Sequence, residues 1–401
     1  MIGISVRASA VEVVHRVLRS GAFSNVLVPR EVAKLEEQDR GLAQFLAFGT
    51  LRQLPRIDRI IAGYSQRPRL ESFVEDCLRV AVHELTFGDA PSHAIVDSFV
   101  EVVKQAGYER AAGYVNGVLR SAARHGEPQI PEGITGRALL HGVTEWLVSE
   151  LDNSYGVGAS DAFLTASQEA PLIGLRRRAG VEVHPDIRPV NGIEESYYGT
   201  FVPEGYVVQD AASVAVGLSA EIQSGERVLD MAAAPGGKSL HLFDLAGAEN
   251  LVLADRHAKR VVRSERRTRK AGCSAPWVIA DGREPPFERA SFDVVVLDAP
   301  CTGLGTLRRR PEIRLKVSRA EIERLSALQA QLVEAARGLL KPSGRLVYSV
   351  CTVTSAETEQ IAKRFEGVPP PILQDAALEH GVLLSPDRTG TDGMYISVIR
   401  P

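Results

Sequence analysis

Short apolar runs alternate with helical stretches in the second half of the chain, and this alternation constrains the fold more than any other feature. The runs occupy residues 227–230, 251–255, 277–281, 292–298 and 345–349, and the first four of them end in Asp. Their apolar residues do not alternate with polar ones, which is typical of strands buried on both faces. The pattern predicts an α/β domain built on a doubly wound, mostly parallel sheet, whose ligands bind beyond the carboxyl ends of the strands. Before the last run, Ser318 and Glu321 have the spacing of a capping box and predict the start of a helix.

The first 125 residues have a different hydrophobic pattern. Their apolar residues recur at helical spacing, and no strand pattern is present. This region predicts an all-α N-terminal domain. Two prolines and two glycines between residues 125 and 133 indicate a linker. We therefore expect a helical domain over 1–127, a linker and small mixed segment over 128–200, and the α/β domain over 201–401.

The composition is that of a globular chain, with 44% hydrophobic and 24% charged residues. No apolar run approaches the roughly 18 residues of a membrane span, and the first residues lack the apolar stretch of a secretory signal. We therefore expect a cytoplasmic, monomeric protein with no membrane partner. The four cysteines have no metal-binding spacing, which favours thiol chemistry over a disulfide framework or a metal site.

A turn of small residues follows the first apolar run of the α/β region. It consists of Ala232, Ala233, Ala234, Pro235, Gly236, Gly237 and Lys238. Small side chains let a ligand approach the backbone, and the start of the next helix offers unpaired amide groups. One interpretation is a Walker A loop, because Gly237, Lys238 and Ser239 match that motif and residues 294–298 resemble a Walker B strand. This alternative predicts a P-loop nucleotidase.

Two observations favour a nucleoside ligand instead. Ala232 occupies the position of the first Walker glycine, where its methyl group crowds a tight turn. Asp255 ends the next strand, and a carboxylate there can accept hydrogen bonds from both ribose hydroxyls. Asp281 is placed to take an adenine amino group. The structural alternative for both carboxylates is that they cap the helices that follow them.

Two of the cysteines follow the ends of apolar runs, Cys301 after the fourth run and Cys351 after the fifth. Strand ends meet at one edge of a parallel sheet, so we expect the two thiols to face one cleft. Addition of a thiolate to carbon 6 of cytosine makes carbon 5 nucleophilic toward a methyl sulfonium, which gives a thiol beside a nucleoside site a catalytic use. Asp298 would hold or protonate ring nitrogen 3 if burial raises its pKa. Cys77 and Cys273 are expected to be small buried hydrophobes.

Several motifs are specific and collinear over nearly the full length of the chain. They occupy residues 48–52, 115–120, 209–213, 232–238, 281–282, 298–305, 308–309, 351–352 and 392–393. With these motifs, residues 227–401 resemble the RNA cytosine-C5 methyltransferases of the NOL1/NOP2/Sun class, and the whole chain resembles their bacterial RsmB (Sun, Fmu) type. The helical region is similar to the antitermination factor NusB.

The resemblance implies a Rossmann-like domain that transfers a methyl group from S-adenosylmethionine to carbon 5 of a cytosine, giving 5-methylcytosine in small-subunit ribosomal RNA. It also implies that the NusB-like domain binds RNA, that Cys351 is the nucleophile and that Cys301 assists release, a choice that the residues alone leave open. The groups implied to hold S-adenosylmethionine are the backbone of 232–238 and the side chains of Asp255, Arg260, Asp281 and Asp298. A catalytically silent RNA-binding scaffold is the remaining alternative.

Basic residues are concentrated in three segments, although the net charge of the chain is −3. These segments are 256–270 with Arg266 and Arg267, 308–319 with Arg308 and Arg309, and 52–69 with Arg52, Arg67 and Arg69. The default for such a run is a solvated helix face. Because the first two segments flank the proposed cleft, we expect them to contact RNA phosphates and to position a strand whose target cytosine is flipped out of its stack. The third segment, in the helical region, is a further candidate for RNA contacts, with Arg52 among them.

Overall fold

The computed structural model of the protein describes residues 2–65 and 70–401, so the predicted RNA contacts Arg67 and Arg69 lie outside the described residues. The chain forms two compact units. A helical unit comprises the residues up to 168 together with 307–316, and a sheet unit comprises 169–306 together with 317–401. These units are divided differently from the predicted segments, because a short piece of the α/β region belongs to the helical unit.

Helices occupy the first part of the described chain, and strands begin only at Ile173. The α-helices are α1 (Ile2–Arg19), α2 (Ser24–Val32), α3 (Glu37–Arg52), α4 (Leu54–Tyr64), α5 (Ser72–Phe87), α6 (Ser92–Gln105), α7 (Glu109–His125), α8 (Gly133–His141), α9 (Glu145–Tyr155), α10 (Val157–Ala166), α11 (Ala211–Leu218), α12 (Gly237–Ala246), α13 (Ala258–Lys270), α14 (Ile313–Lys316), α15 (Arg319–Leu339), α16 (Glu359–Arg364) and α17 (Pro386–Thr389). The strands are β1 (Ile173–Arg177), β2 (Arg188–Pro189), β3 (Ser196–Gly199), β4 (Tyr206–Val208), β5 (Val228–Asp230), β6 (Leu251–Asp255), β7 (Trp277–Ile279), β8 (Phe292–Asp298), β9 (Leu340–Val350), β10 (Val382–Leu384) and β11 (Met394–Ile399).

The helical unit is built around an apolar core to which α1 contributes a continuous stripe. Val11, Val14 and Val17 lie at helical spacing on one face of α1 and are fully buried. They belong to the same core cluster as Leu46 of α3 and Phe99 of α6. The packing confirms the predicted all-α N-terminal domain.

Three short helices, α8 to α10, continue the helical unit beyond the predicted linker. They are 9, 11 and 10 residues long. Gly142 ends α8 in the left-handed region at φ +61°, and α9 is anchored by the buried side chains of Leu147, Val148 and Leu151. Helices this short offer too few repeats for a periodic signal, which is why the sequence indicated only a mixed segment here.

The sheet unit contains two sheets. The smaller has four antiparallel strands in the order β2-β3-β1-β4. The larger has seven strands in the order β10-β11-β9-β8-β5-β6-β7. Strands β9, β8, β5, β6 and β7 run parallel, whereas β11 pairs antiparallel with both β9 and β10. This arrangement confirms the predicted doubly wound, mostly parallel Rossmann-like sheet.

The predicted element boundaries agree with the structure at several points and differ at one that matters for the site. Strands β6 and β8 cover the predicted residues, but β7 ends at Ile279, two positions before Asp281. Helix α15 begins after Ser318, whose hydroxyl accepts a hydrogen bond from the Glu321 amide at 3.3 Å, as the capping box predicted.

The strand order reverses at β5, which lies between β6 and β8, and a doubly wound sheet binds its ligands at such a reversal. Asp230, Asp255 and Asp298 are the last residues of these three strands. Across residues 2–65 and 70–401, no helix is long and apolar enough to span a bilayer. In the same part of the chain, no group of three or more His, Cys, Asp or Glu side chains is arranged to hold a metal ion.

Candidate active site

The loop of small residues connects β5 to α12 and is fixed to the strand beneath it. The Ser239 hydroxyl lies 2.6 Å from Asp230 Oδ2 and 3.1 Å from the carbonyl oxygen of Ala233. Burial raises the pKa of Asp230 to about 7. Gly236 has φ +94°, and a Cβ there would lie 2.5 Å from the Thr268 side chain, so the turn requires glycine. No neighbouring heavy atom lies within 4 Å of the Cβ position at Gly237, so the first turn of α12 is open to a ligand.

Asp255 lies at the end of β6 and is buried, at 4% exposure. Its Oδ2 accepts a hydrogen bond from the amide of Ala234 at 3.3 Å, and its Oδ1 accepts one from the amide of His257 at 2.9 Å. The Arg260 guanidinium donates to the carbonyl oxygen of Ala234 and lies 3.8 Å from Asp255 Oδ2. Asp255 therefore ties the glycine loop to β6, and each of its oxygens retains a lone pair for a further donor.

Asp281 follows β7 in a loop, and Arg283 engages both of its carboxylate oxygens. Arg283 Nε donates to Oδ1 at 3.1 Å and Nη2 donates to Oδ2 at 2.7 Å. These hydrogen bonds hold the pKa of Asp281 well below its usual range. A Cβ on the adjacent Gly282 would lie 2.9 Å from Leu332 and 3.0 Å from Met231, so glycine allows this loop to approach the glycine loop of β5. A ligand amino group would share Asp281 with Arg283.

Asp298, at the end of β8, forms an ion pair with Lys238 from the glycine loop. Lys238 Nζ lies 2.8 Å from Asp298 Oδ2, and the Ser349 hydroxyl donates to Oδ1 at 3.3 Å. Burial disfavours the charge on Lys238, but the Asp298 carboxylate outweighs this effect and the pKa of Lys238 is raised. The pair therefore presents a carboxylate acceptor and a protonated amine side by side.

The two strand-end cysteines lie together, with their Sγ atoms 3.3 Å apart and both side chains partly exposed. Hydrogen bonding with Cys351 and then burial raise the pKa of Cys301 well above its ordinary value. The raised pKa favours the thiol form of Cys301, and either sulfur can be the donor in the contact between them. A hydrogen-bond donor beside a cysteine stabilises its thiolate, the form in which a cysteine is a nucleophile. Cys77 and Cys273 are buried elsewhere, as expected.

Backbone contacts that the sequence reasoning missed hold the two cysteine loops against each other. The amide of Gly305 donates to the carbonyl oxygen of Cys351 at 3.0 Å, and the amide of Gly393 donates to the carbonyl oxygen of Gly305 at 2.8 Å. A Cβ on Gly305 would lie 2.1 Å from the carbonyl oxygen of Gly393. Both glycines stand in motifs of the sequence, but only the fold shows that they touch.

The basic residues expected to contact RNA have very different environments. Arg266 and Arg267 are exposed on α13. They line a groove of about 690 Å³ whose basic residues are Lys259, Arg263, Arg266, Arg267 and Lys270.

Within the helical unit, by contrast, Arg308 is only 7% exposed, and its carbonyl oxygen accepts a hydrogen bond from Arg52 Nη2 at 3.1 Å. Burial lowers the pKa of Arg52 to about 10. Arg309 is half-buried. Arg308 is therefore buried and Arg52 half-buried, unlike the exposed arginines of α13, and phosphate contacts by Arg308 and Arg52 stay a prediction.

Comparison with protein-family models gives two matches. Residues 218–400 match the family described as 16S rRNA methyltransferase RsmB/F, and residues 5–124 match the NusB family. Curated relatives include the ribosomal RNA small subunit methyltransferases B of Salmonella paratyphi B and Salmonella heidelberg. Each is 31% identical to this chain over 417 residues, which cover 97% of this chain and 95% of the relative.

Solved structures share the fold. The crystal structure of PH0851 has a TM-score of 0.84 at 21% identity and covers 98% of this chain and 99% of its own. The structure of NSun6 from Pyrococcus horikoshii with SFG has a TM-score of 0.56 at 17% identity, covering 65% of this chain and 99% of its own.

Proposed function

Because the chain belongs to the RsmB/F family of 16S rRNA methyltransferases, whose methyl donor is S-adenosylmethionine, we propose that it methylates carbon 5 of a cytosine in small-subunit ribosomal RNA. The observation that carries the cytosine chemistry is the pair of thiols 3.3 Å apart beside the glycine loop. A covalent adduct between a thiol and carbon 6 is a route to methylation at carbon 5, because that carbon is otherwise a poor nucleophile. We assign the attack to Cys351.

The residues around the glycine loop fit S-adenosylmethionine. The open first turn of α12, a helix of 10 residues, offers the amide groups of Gly237 and Lys238 to the carboxylate of the donor. Asp255 has acceptor capacity for the ribose hydroxyls, with Arg260 beside it, and Asp281 and Asp298 are the further candidate contacts. When bound, S-adenosylmethionine supplies an electrophilic methyl group.

The resting hydrogen bond supports Cys351 as the nucleophile. We assign the S–H of the 3.3 Å contact to Cys301, which places the negative charge on Cys351, and the protonated Lys238 lies in the same cleft. Attack forms the bond between Cys351 Sγ and carbon 6 and moves electron density to carbon 5. The ion-paired carboxylate of Asp298 accepts a hydrogen bond from the 4-amino group of cytosine, and Lys238 is the neighbouring proton donor for the ring.

Release requires the loss of the proton on carbon 5 and cleavage of the bond between carbon 6 and Sγ. After Cys351 has bonded to carbon 6, Cys301 gives its S–H proton to water in the cleft and is left as a thiolate. This thiolate takes the carbon 5 proton, and the electron pair of that C–H bond expels Cys351 as a thiolate. The two thiols therefore serve different steps.

The exposed basic face of α13 supports a nucleic-acid substrate. Arg263, Arg266 and Arg267 are unburied on one helix, where guanidinium groups can contact successive phosphates. A cytosine must leave its stack to present carbon 6 to a thiol. The NusB-like helical unit is a second candidate RNA-binding element.

The covalent route is tested by replacing each of the two cysteines in turn. Cys351→Ala is expected to abolish both methyl transfer and covalent capture of RNA. Cys301→Ala is expected to attack but stall, so that a protein–RNA adduct accumulates and survives a denaturing gel. An adduct in Cys351→Ala alone would reverse the roles, and full activity in both variants would exclude the covalent route.

The nucleoside site is tested by ligand binding. Asp255→Ala is expected to weaken S-adenosylmethionine binding by roughly 1.5 to 3 kcal/mol, about ten- to a hundredfold, through the loss of a charge-assisted contact. Calorimetry with S-adenosylmethionine and with ATP measures both the loss and the selectivity. Tight ATP binding without binding of the methyl donor would favour a P-loop nucleotidase. An unchanged affinity in Asp255→Ala would show that Asp255 binds only the backbone amides beside it and does not contact the methyl donor.

A further inference from the structure

A buried carboxylate that the proposed chemistry does not use lies beneath both cysteine loops. Glu357 follows β9 and has no solvent exposure. Among the described residues its carboxylate makes no ion pair, and it is surrounded only by neutral donors. A buried carboxylate without a cation is costly unless its lone pairs are fully engaged, so such an arrangement needs a reason.

Glu357 binds the residue that follows each catalytic cysteine. In the first loop, Oε1 accepts a hydrogen bond from the Thr302 amide at 2.9 Å and Oε2 accepts one from the Thr302 hydroxyl at 2.6 Å. In the second loop, the hydroxyls of Thr352 and Thr354 lie 3.1 and 2.7 Å from Oε2. The hydroxyls of Thr302 and Thr352 are also 2.7 Å from each other. One side chain therefore connects the two loops directly.

Helix α15 adds a further contact to this network through Gln329. Gln329 Nε2 lies 3.2 Å from Glu357 Oε1 and 3.0 Å from the carbonyl oxygen of Pro300, the residue before Cys301. The buried Tyr348 hydroxyl donates to the carbonyl oxygen of Glu357 at 2.7 Å. The carbonyl oxygen before Cys301 is thus connected through Gln329 to the carboxylate of Glu357. The same carboxylate binds the residues that follow Cys301 and Cys351.

From this geometry we propose that Glu357 is a positioning residue that sets the separation of the two thiols. Its importance for catalysis rests on the proposed function, because the separation matters only if one thiol attacks and the other assists release. A carboxylate with several convergent donors is a rigid support, and catalytic groups lose efficiency when their support loosens by about 1 Å. The network holds the Sγ atoms at 3.3 Å, within reach of a hydrogen bond in which either sulfur can donate.

The separation can be tested without RNA or methyl donor, by following oxidation of the two thiols to a disulfide. Diamide, an azo oxidant, takes two electrons and both thiol protons and becomes a hydrazine as the S–S bond forms. Mass spectrometry of peptides that contain Cys301 and Cys351 gives the rate. Glu357→Ala is expected to slow this oxidation at least about tenfold, because the effective concentration of one thiol at the other falls when the loops separate.

Glu357→Gln distinguishes positioning from charge. Its amide oxygen can keep the hydrogen bonds from Thr302 and Gln329, and its amide nitrogen can donate to the threonine hydroxyls, which also accept. We expect an oxidation rate within about threefold of the wild type. A Gln variant as slow as the Ala variant would overturn a positioning role.

Glu359 provides a matched control two residues away. It accepts hydrogen bonds from the Tyr395 hydroxyl at 2.5 Å and from the His380 amide at 3.3 Å, and within the described part of the chain its carboxylate makes no hydrogen bond to either cysteine loop. Glu359→Ala should leave the oxidation rate at the wild-type value. Equal slowing in Glu359→Ala and Glu357→Ala would overturn the inference, because it would reflect general loosening of the segment.

Thr352→Val keeps the test decisive if Glu357→Ala does not fold. This change removes one hydroxyl at constant shape and is expected to slow oxidation about threefold. An unchanged rate in Thr352→Val would overturn the inference.

In methylation assays, Glu357→Ala should lower kcat with little change in the KM for S-adenosylmethionine. A wild-type protein that methylates no cytosine would defeat the proposed function and leave the oxidation result standing, whereas normal oxidation in Glu357→Ala would defeat the inference alone.

Discussion

Two arginine-rich segments of this chain resemble each other in sequence and differ completely in environment. On α13, Arg263, Arg266 and Arg267 point into solvent. In the segment 307–316 of the helical unit, Arg314 is only 1% exposed. Charge density along a sequence therefore does not reveal whether arginines lie on a surface or inside a core.

The difference follows from the pattern of the intervening residues. Val261, Ser264 and Thr268 are the buried residues of α13, and their spacing places them on one face of the helix, with the arginines on the other. The segment 307–316 has no helical repeat of this kind. Its only helix, α14, has 4 residues.

Two charged side chains of the buried segment, Arg314 and Glu312, are held by hydrogen bonds to other parts of the helical unit. Arg314 Nη1 donates to the carbonyl oxygens of Arg52 and His141 at 3.2 and 2.9 Å, and Nη2 donates to that of Ser167 at 3.4 Å. Glu312 accepts from both the amide and the hydroxyl of Ser24, at 3.2 and 2.5 Å, at the start of α2. A planar guanidinium with five donors suits a site with several carbonyl oxygens.

The largest effect in this comparison is expected from Arg314→Met. The change removes the Arg314 donor from three carbonyl oxygens, of which that of His141 keeps Gln168, and we expect a loss of about 3 kcal/mol in the free energy of unfolding of the helical unit. Urea titration of wild type and variant measures it. The surface counterpart Arg266→Met should stay within about 0.5 kcal/mol of wild type. Similar losses of unfolding free energy in both variants would contradict the difference between the buried and the exposed segment.

Acid is expected to lower the free energy of unfolding of the helical unit by protonating His83. This side chain is packed between Phe45 and Phe87, and burial, followed by the charge of Arg52, lowers its pKa to about 3. The unfolded chain has the ordinary histidine pKa of about 6.5, so the unfolded state binds an extra proton between these values. Stability is complete above about pH 6.5 and falls as the pH drops toward 3, by about 2 kcal/mol at pH 5.

The variant His83→Phe tests this pH dependence. It keeps a ring at the position and removes the titrating group, so urea titrations at pH 7.5 and pH 5 should differ by about 2 kcal/mol less than in wild type. Wild-type acid sensitivity in His83→Phe would assign the loss to other groups.

The exposed segment should govern the salt dependence of RNA binding. Replacing Arg263, Arg266 and Arg267 by Ser is expected to weaken binding of single-stranded RNA about tenfold and to reduce the slope of log affinity against log salt by about 2. Fluorescence anisotropy over a salt series measures both. The affinity for S-adenosylmethionine and the unfolding free energy serve as controls, and an unchanged slope would show that these arginines do not touch phosphate.

The smallest effect is expected from Arg308→Met. Because this side chain is only 7% exposed, the salt slope of RNA binding should change by less than about 0.3, even if the protein becomes less stable. The same anisotropy series measures the slope. A reduction close to that of one phosphate contact, about 0.7, would place Arg308 at the RNA after all.

The sequence predicted those parts of the site that depend on local pattern. Strand ends carry Asp255 and Asp298, and the capping box begins α15, because apolar runs and capping residues act over a few positions. The sequence did not predict the burial of Arg308 or the role of Glu357 as a support. Both depend on contacts between residues far apart in the chain, such as Thr302 with Glu357, that no local pattern reports.

The short piece 307–316 also bears on how such a protein can be divided or inherited. The helical unit is one folded body encoded by two separate stretches of sequence, and the second stretch lies inside the region that encodes the sheet unit. A gene fragment that stops at residue 168 would leave the start of α2 without Glu312 and three carbonyl oxygens without Arg314. Recombination at residue 168 would likewise separate these partners, because Glu312 and Arg314 are encoded in the later stretch. The chain therefore cannot be cut at this point into two interchangeable modules.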